Sequence, residues 1–355
     1  MQSYRKWRSN SLNGDIWRII AYPHFALDVL GRNKFGGLIM NPKMVIAIDH
    51  GNRSIKTINH TFPASYMESG HLPSIGGDVL VYNGKEYTLV DRRMPQKTDK
   101  TKDDSYFILT LFAIGKELSS STPSECIEVE LLVGLPPLHC KEMGARFMDY
   151  FKSHNAPISF ELNKIPCTIK ITEAYVYPQA YAAVMTVREQ IKDSPVVNLV
   201  DVGGYTVDLL QLLSFRPNMS VCTSLYGGVN SLFQKINEQV RAKGAMNIPD
   251  STIEGILRDN KKILSGCSAE RIKLVQSNAQ QFAYDMILSI SQTGLDLVEN
   301  RTVFVGGGSI LLKKYIKESG IIADPFFVHD VRTNAKGYQL LYDNRKSTQT
   351  QSSSQ

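Results

Sequence analysis

Two short stretches carry residue types at spacings suited to handling an anion and its counter-cation. Residues 199–209 read L-V-D-V-G-G-Y-T-V-D-L, and residues 46–57 read I-A-I-D-H-G-N-R-S-I-K-T. In each, an apolar run ends in an aspartate (Asp201, Asp49), a glycine-containing turn follows, and a second apolar run departs. Gly203 and Gly204 in one, and Gly51 in the other, permit positive φ, so backbone N–H groups can turn toward an anion. A carboxylate at the strand end can hold the hydrated Mg²⁺ that accompanies such an anion. The competing reading is a tight hairpin whose aspartates, Asp208 included, satisfy turn amides. Taken singly, either stretch leaves the two readings level. A third stretch, V-F-V-G-G-G-S at 303–309, is a strand running into a glycine turn and then a helix. Ligands lie on backbones of that kind, and tight packing is the alternative.

Other chemistries are absent. No G-x-x-x-x-G-K-[ST] occurs, because Gly84-Lys85 and Gly115-Lys116 are both followed by Glu. No strand leads into G-x-G-x-x-G, and neither H-E-x-x-H nor G-x-S-x-G is present. The five cysteines (Cys126, Cys140, Cys167, Cys222, Cys267) are widely spaced without a C-x-x-C pair. An odd, scattered set fits buried thiols in a reducing cytosol better than disulfides or zinc.

The elements that must position these residues read as alternating α and β. Met44 to Asp49 is a strand, and Val196 onward is another. Two similar Asp–Gly hairpins about 150 residues apart predict an internally duplicated α/β architecture. Residues 60–125 read as an insertion, with a β-hairpin around Asn83-Gly84 and a charged loop over Arg92–Asp104. Within it, a helix over Ser105–Leu118 places Phe107, Leu111, Ile114 and Leu118 on one stripe. Ile127–Val133 and Cys167–Thr172 are strands, with a helix over Lys141–Lys152. Pro178 suits a helix's first turn, and Ala180, Ala182 and Ala183 would let that helix pack closely. Asn230 or Ser231 is expected to cap a helix running to Lys243. Helices follow over 250–265 and Glu270–Leu297, then a strand over Arg301–Val305 and a helix over Ile310–Lys317. Residues 344–355 read as a disordered tail.

At 355 residues, 43% apolar and 21% charged, the chain has room for two cores. Its net charge of +6 is uneven: residues 1–43 hold seven Lys/Arg against two Asp, leaving the rest near neutral. The body is therefore not a general nucleic-acid binder by charge. No run of about eighteen apolar residues occurs, so no membrane span is expected. Residues 1–43 admit three readings. They form an arm touching DNA or a membrane surface, a disordered tail, or upstream sequence read through from an early start codon ahead of Met40 or Met44. A strand beginning at Met44 needs nothing upstream, which favours the last two.

In order and spacing, the three glycine/Asp units resemble the actin-like ATPase superfamily. Residues 46–57 are similar to its first phosphate loop, 199–209 to its second and 303–309 to its adenosine motif. Pro178-Gln179-Ala180 falls where its first connecting helix should lie. Each motif alone is degenerate; the four in sequence order carry the resemblance over Met44–Tyr342. Within the superfamily the likeness is to the ParM/StbA plasmid-segregation group, through Asp49, Gly51 and Lys56 (D-x-G-x-x-x-x-K) and the turn Val133-Gly134-Leu135-Pro136. Gln179 departs from the Glu often found in that group, and residues 1–43 have no counterpart there.

The resemblance implies an actin-like (ribonuclease H-like) fold of two duplicated domains, each with a five-stranded mixed sheet, with ATP or GTP and Mg²⁺ in the cleft between them. It places domain I at 44–195, domain II at 196–319 and a return to domain I at 320–343. It implies that Gly51, Asn52, Arg53, Ser54, Gly203, Gly204, Tyr205 and Thr206 cradle phosphates beside Lys56. It implies that Asp49 and Asp201 hold Mg²⁺ through water, and that Gln179 and Asp201 set the attacking water. Gly306, Gly307, Gly308 and Ser309 carry the nucleoside. The function implied is a cytoplasmic, filament-forming ATPase that segregates plasmid or other mobile DNA through a DNA-binding adaptor. A sugar- or acetate-kinase-type phosphotransferase and a shape-determining bacterial actin use the same fold. A chaperone does not fit, because too few residues follow Ser309 for a peptide-binding domain.

Overall fold

The computed structural model describes residues 43–68, 77–91, 99–118 and 126–352. The expectations for residues 1–42, and for most of the charged loop before Asp99, lie outside these residues.

The β-branched and leucine-rich runs form two sheets. The first comprises β1 (Lys43–His50), β2 (Ser54–Lys56), β3 (Thr61–Pro63), β4 (Tyr66–Glu68), β5 (Val79–Tyr82), β6 (Lys85–Leu89), β7 (Ile127–Leu135), β8 (Ile158–Leu162) and β9 (Ile165–Pro178). Among the described residues its order is β3-β2-β1-β7-β9-β8-β5-β6-β4. The second comprises β10 (Val196–Val202), β11 (Thr206–Leu213), β12 (Arg216–Tyr226), β13 (Arg301–Val305) and β14 (Pro325–Phe327), in the order β12-β11-β10-β13-β14. The segment β3-β2-β1-β7-β9 repeats the second sheet strand for strand. In both, the first three strands are antiparallel and the last three parallel. The duplication read from the two Asp–Gly hairpins is thus present in the topology.

The first sheet has nine strands, where five were expected. Among the described residues the four extra strands, β8, β5, β6 and β4, all continue the sheet past β9. The β5–β6 turn takes positive φ at Asn83 (49°) and Gly84 (72°), as Asn-Gly favours. Helix α1 (Ser105–Leu118) is buried almost all round, beyond its expected stripe, because it is wedged between β1 and β8. A Cβ on Gly115 would stand 2.8 Å from Leu162.

Helix α2 (Pro137–Lys152) follows β7. Pro178 ends β9 rather than starting a helix, since the strand's hydrogen-bonded register runs on to it. The helix begins later, as the short α3 (Tyr181–Met185), followed by α4 (Arg188–Ile191). Ala180, Tyr181, Ala183 and Val184 bury against Val197, Leu199, Leu210 and Val303 of the second sheet.

The second sheet's outer face is covered by α5 (Val229–Ala242), α6 (Asp250–Leu257), α7 (Lys261–Ser265), α8 (Ala269–Ser291) and α9 (Gly307–Glu318). Neither Asn230 nor Ser231 caps α5, which starts at Gly228 without a side-chain cap. Its first N–H groups are instead taken by the loop after β10: Val229 N–H donates to the Gly203 carbonyl at 3.1 Å and Asn230 N–H to that of Gly204 at 2.9 Å.

The chain returns to the first sheet later than residue 320, since Pro325–Phe327 still pair with β13. Helix α10 (Thr333–Ser352) makes the return, and it continues through residues 344–352, where a disordered tail was expected. It crosses α3 with no room between backbones, because a Cβ on Gly337 would overlap the Ala182 carbonyl. Tyr338 fills the space beside Gly134 and is fully buried. Farther along, Tyr342 and Lys43 both bind the buried Glu130 carboxylate. Lys43 therefore belongs to β1 rather than to the preceding extension.

Candidate functional site

Between the sheets lies a cleft of about 700 Å³. It is lined by Asp49, Gly51, Asn52, Arg53, Ser54, Lys56, Gln179, Asp201, Gly203, Gly204, Thr206, Gly306, Gly307 and Gly308. Of the residues singled out in the sequence, two do not line it. Ser309 is fully buried and its hydroxyl donates to the Gly306 carbonyl at 2.7 Å, holding the turn. The Tyr205 carbonyl accepts from Gly227 N–H and Gly228 N–H, at 3.0 and 2.9 Å. Its phenol acts electrostatically on Tyr106 of α1, across the interface.

The duplication sets the charges. Asp49 pairs in register with Lys56 across β1–β2, and Asp201 pairs with Asp208 across β10–β11. These are equivalent positions, so one hairpin offers acid and base and the other two acids. Lys56 Nζ lies 3.2 Å from Asp49 Oδ2 and donates to the Ser54 carbonyl at 3.4 Å. Asp208 is held by two hydroxyls, Thr206 at 3.2 Å and Ser224. Gln179 Nε2 donates to Asp49 Oδ1 at 2.8 Å, and Asn334 Nδ2 to Asp201 Oδ2 at 3.5 Å.

Burial raises the Asp201 carboxyl to about 7, helped by the Asp208 and Asp49 carboxylates and opposed by Lys56 and Asn334. Burial also raises Asp208. Three facing carboxylates with Lys56 already paired form a site short of positive charge, which suits a hydrated dication. Among the described residues no cluster of three His, Cys, Asp or Glu side chains could ligate a metal directly. Contact through water is the form of binding these residues fit.

The glycines divide by purpose. Gly306 (φ 85°) turns beneath Asp201, and a Cβ there would overlap that carboxylate. A Cβ on Gly308 would stand 2.6 Å from the Val202 carbonyl. These two are required by close packing. Gly307 has nothing within 4 Å of its Cβ position and faces open cleft. In the hairpin turns, the N–H groups of Gly51 and Gly203 are already spent, on Asp49 O at 3.0 Å and Thr206 O at 2.9 Å. Arg53 is also engaged: its guanidinium pairs with Glu254 on α6 and lies 5.7 Å from the Phe233 ring centre. It spans the cleft mouth from one sheet's loop to the other sheet's helices.

Several lining residues had no clear signal in the sequence. Lys100 sat within a loop read only as charged. Asn334 and Thr333 come from helix α10. Asp208 was visible as a second acid, and its register with Asp201 marks it.

A duplicated pair of 3-2-1-4-5 sheets, with a carboxylate-lined cleft between the two hairpins, is the actin-like fold. Family models agree over most of the chain. Residues 47–181 match the actin-like proteins' N-terminal domain, and residues 199–318 match the C-terminal domain of archaeal, MreB-like actin homologues. No curated protein matches by sequence. Among solved structures, a 15-stranded ParM filament from Clostridium botulinum is similar at TM-score 0.68 and 18% identity, over 86% of this chain and 100% of that one. The archaeal actin homologue Ta0583 gives 0.66 and 16%, over 84% and 99%. The actin-like protein Alp7A gives 0.67 and 14%, over 89% and 99%. Ta0583 has also been solved in complex with ADP. The chain belongs with the actin-like proteins, and its likeness extends to ParM-type and Alp-type members.

Proposed function

We propose that this protein binds ATP with Mg²⁺ in the cleft, polymerises head to tail in that state, and hydrolyses the nucleotide to weaken the filament. The observation that carries the reading is the meeting of Asp49, Lys56 and Gln179 with Asp201 and Asp208 around one cleft. Lys56 and the hairpin amides beyond Gly51 and Gly203 neutralise and seat the phosphates. Asp49 and Asp201 hold the hydrated cation, whose charge screens the transferring phosphoryl group. Gln179 and Asp201 fix a water in line with the terminal phosphate, and the open backbone at Gly307 seats the nucleoside. Solved relatives include ParM and Alp12 filaments, which supports self-association through contacts that do not close.

In the ParM-type reading the filament moves plasmid or other mobile DNA through a DNA-binding adaptor. The near-neutral charge beyond residue 43 supports an adaptor, not the filament, as the DNA contact. Among the described residues no helix is long and apolar enough to cross a membrane. High-speed pelleting with ATP, GTP, ADP or no nucleotide, each with Mg²⁺, tests the proposal. Pelleting with triphosphate and slow phosphate release are expected, with release lost in Asp201→Ala. A protein that stays monomeric with ATP yet phosphorylates a small metabolite would be a phosphotransferase instead.

A further inference from the structure

The strongest unassigned feature of the cleft is Lys100. We propose that Lys100 is a ligand for the terminal phosphate of a nucleoside triphosphate, carried into the cleft by the segment preceding α1. The proposal rests on the nucleotide reading above and adds to it a residue that distinguishes triphosphate from diphosphate.

Three observations support it. First, Lys100 lines the cleft, and its Nζ donates to the carbonyl of His50, the residue after Asp49. An ammonium has three donors, and among the described residues His50 O is the acceptor found for it. No carboxylate among them forms an ion pair with it. Asp49 and Asp208 act on it without direct contact, and a half-buried cation with no contacting anion favours the arrival of one. Burial already pulls this ammonium down to about 8.

Second, Lys100 stands at the β1–β2 hairpin, through its contact with the His50 carbonyl. The charges acting on it are Asp49, Lys56 and Asp208. Gly307, the proposed seat of the nucleoside, belongs to the turn after β13 of the other sheet, so Lys100 meets the nucleotide from the hairpin that takes its phosphates.

Third, the lysine is held there. Arg146 of α2 pairs with Asp99 and donates from Nε to Thr101 Oγ1 at 2.8 Å. The Tyr150 hydroxyl donates to the Asp103 carbonyl at 2.9 Å, and that of Tyr106 to Asn52 Oδ1 at 3.2 Å. The Lys100 ammonium also lies 5.2 Å from the Tyr106 ring centre. The cation is thus pre-placed, so little ordering cost opposes binding.

The test compares full-length wild type, Lys100→Met, Lys100→Gln and Lys100→Arg by calorimetric titration with Mg²⁺-ADP and with the non-hydrolysable Mg²⁺-adenylyl-imidodiphosphate. Losing one charge-assisted contact is expected to weaken triphosphate binding about tenfold or more in the Met and Gln variants. ADP binding should stay within about threefold, and Arg should recover most of the loss. Equal losses for both nucleotides, or no loss, would overturn the role of Lys100 while leaving the nucleotide reading intact. A wild type that binds neither nucleotide would overturn both. Thermal melting of each variant separates these results from misfolding.

Discussion

Replacing Asp201 by Asn should make the ligand-free protein more stable while abolishing its hydrolysis. Asp201 faces Asp208 in register and Asp49 across the cleft, and its carboxyl is raised from 3.8 to about 7. Between those values the folded chain binds more protons than the unfolded one, so stability falls as pH rises through the window and levels above it. A rise from 3.8 to about 7, at about 1.36 kcal/mol per tenfold change in proton affinity, sets a ceiling of about 4 kcal/mol. Side-chain relaxation and water in an open cleft reduce this to roughly 1–3 kcal/mol. Asn keeps the shape and the acceptor for Asn334 but removes the charge. At pH 8 the variant should gain that amount, about 1–2 °C of melting midpoint per kcal/mol for a chain of 355 residues, and at pH 5 much less. Scanning calorimetry without nucleotide from pH 5 to 8.5 makes the comparison. A variant no more stable than wild type at pH 8, or one whose gain does not shrink at pH 5, would refute the carboxylate-repulsion argument. Added Mg²⁺-nucleotide should reverse the order of stability, because the cation then favours the wild-type charge.

Other outcomes follow from the same geometry. Glu254→Gln breaks the pair with Arg53 across the cleft mouth, where both side chains are partly exposed (24% and 35%). Fluorescent-ADP release by stopped flow should quicken about two- to fivefold, as loss of roughly 0.5–1 kcal/mol implies; an unchanged rate would show that the pair does not hold the cleft shut. Gly308→Ala should lower stability by about 1–3 kcal/mol in urea titrations, because its Cβ meets the Val202 carbonyl. Gly307→Ala should leave stability within about 1 kcal/mol and weaken nucleotide binding instead. Gln179→Ala should slow single-turnover phosphate release roughly ten- to hundredfold with binding little changed; equal loss of binding would mean that Gln179 serves Asp49 rather than water.

How much of this was legible in the sequence depends on how local each determinant is. β1, β10 and their Asp–Gly turns stood out because strand, acid and glycine are contiguous. The Asn83-Gly84 hairpin was equally plain, since its turn chemistry lies within two residues. Pro178 misled because a proline at a strand's last residue and one in a helix's first turn look alike until the partner strand is known. The Asn230 and Ser231 cap failed for a similar reason: the acceptors for α5 come from Gly203 and Gly204, 26 residues before the donors Val229 and Asn230. Lys100 and Asn334 reach the cleft through packing against α2 and α3, and no local pattern marks such positions. Arg53 was legible as a loop residue, but its engagement with Glu254 was not, because that contact joins segments about 200 residues apart.

The late crossing of α10 under β1, β7 and α3 also bears on how the molecule is made. The second sheet and its helices are contiguous, from Val196 to Phe327, whereas the first sheet's buried face is completed by Tyr338 and Tyr342. During synthesis the second half can close on itself while the first still exposes Ala47, Leu132 and Tyr177 to water. Helix α10, which follows both sheets in the chain, is also the one that brings Asn334 to Asp201. The cleft is therefore finished only when the first sheet is, so a half-made chain lacks a complete site.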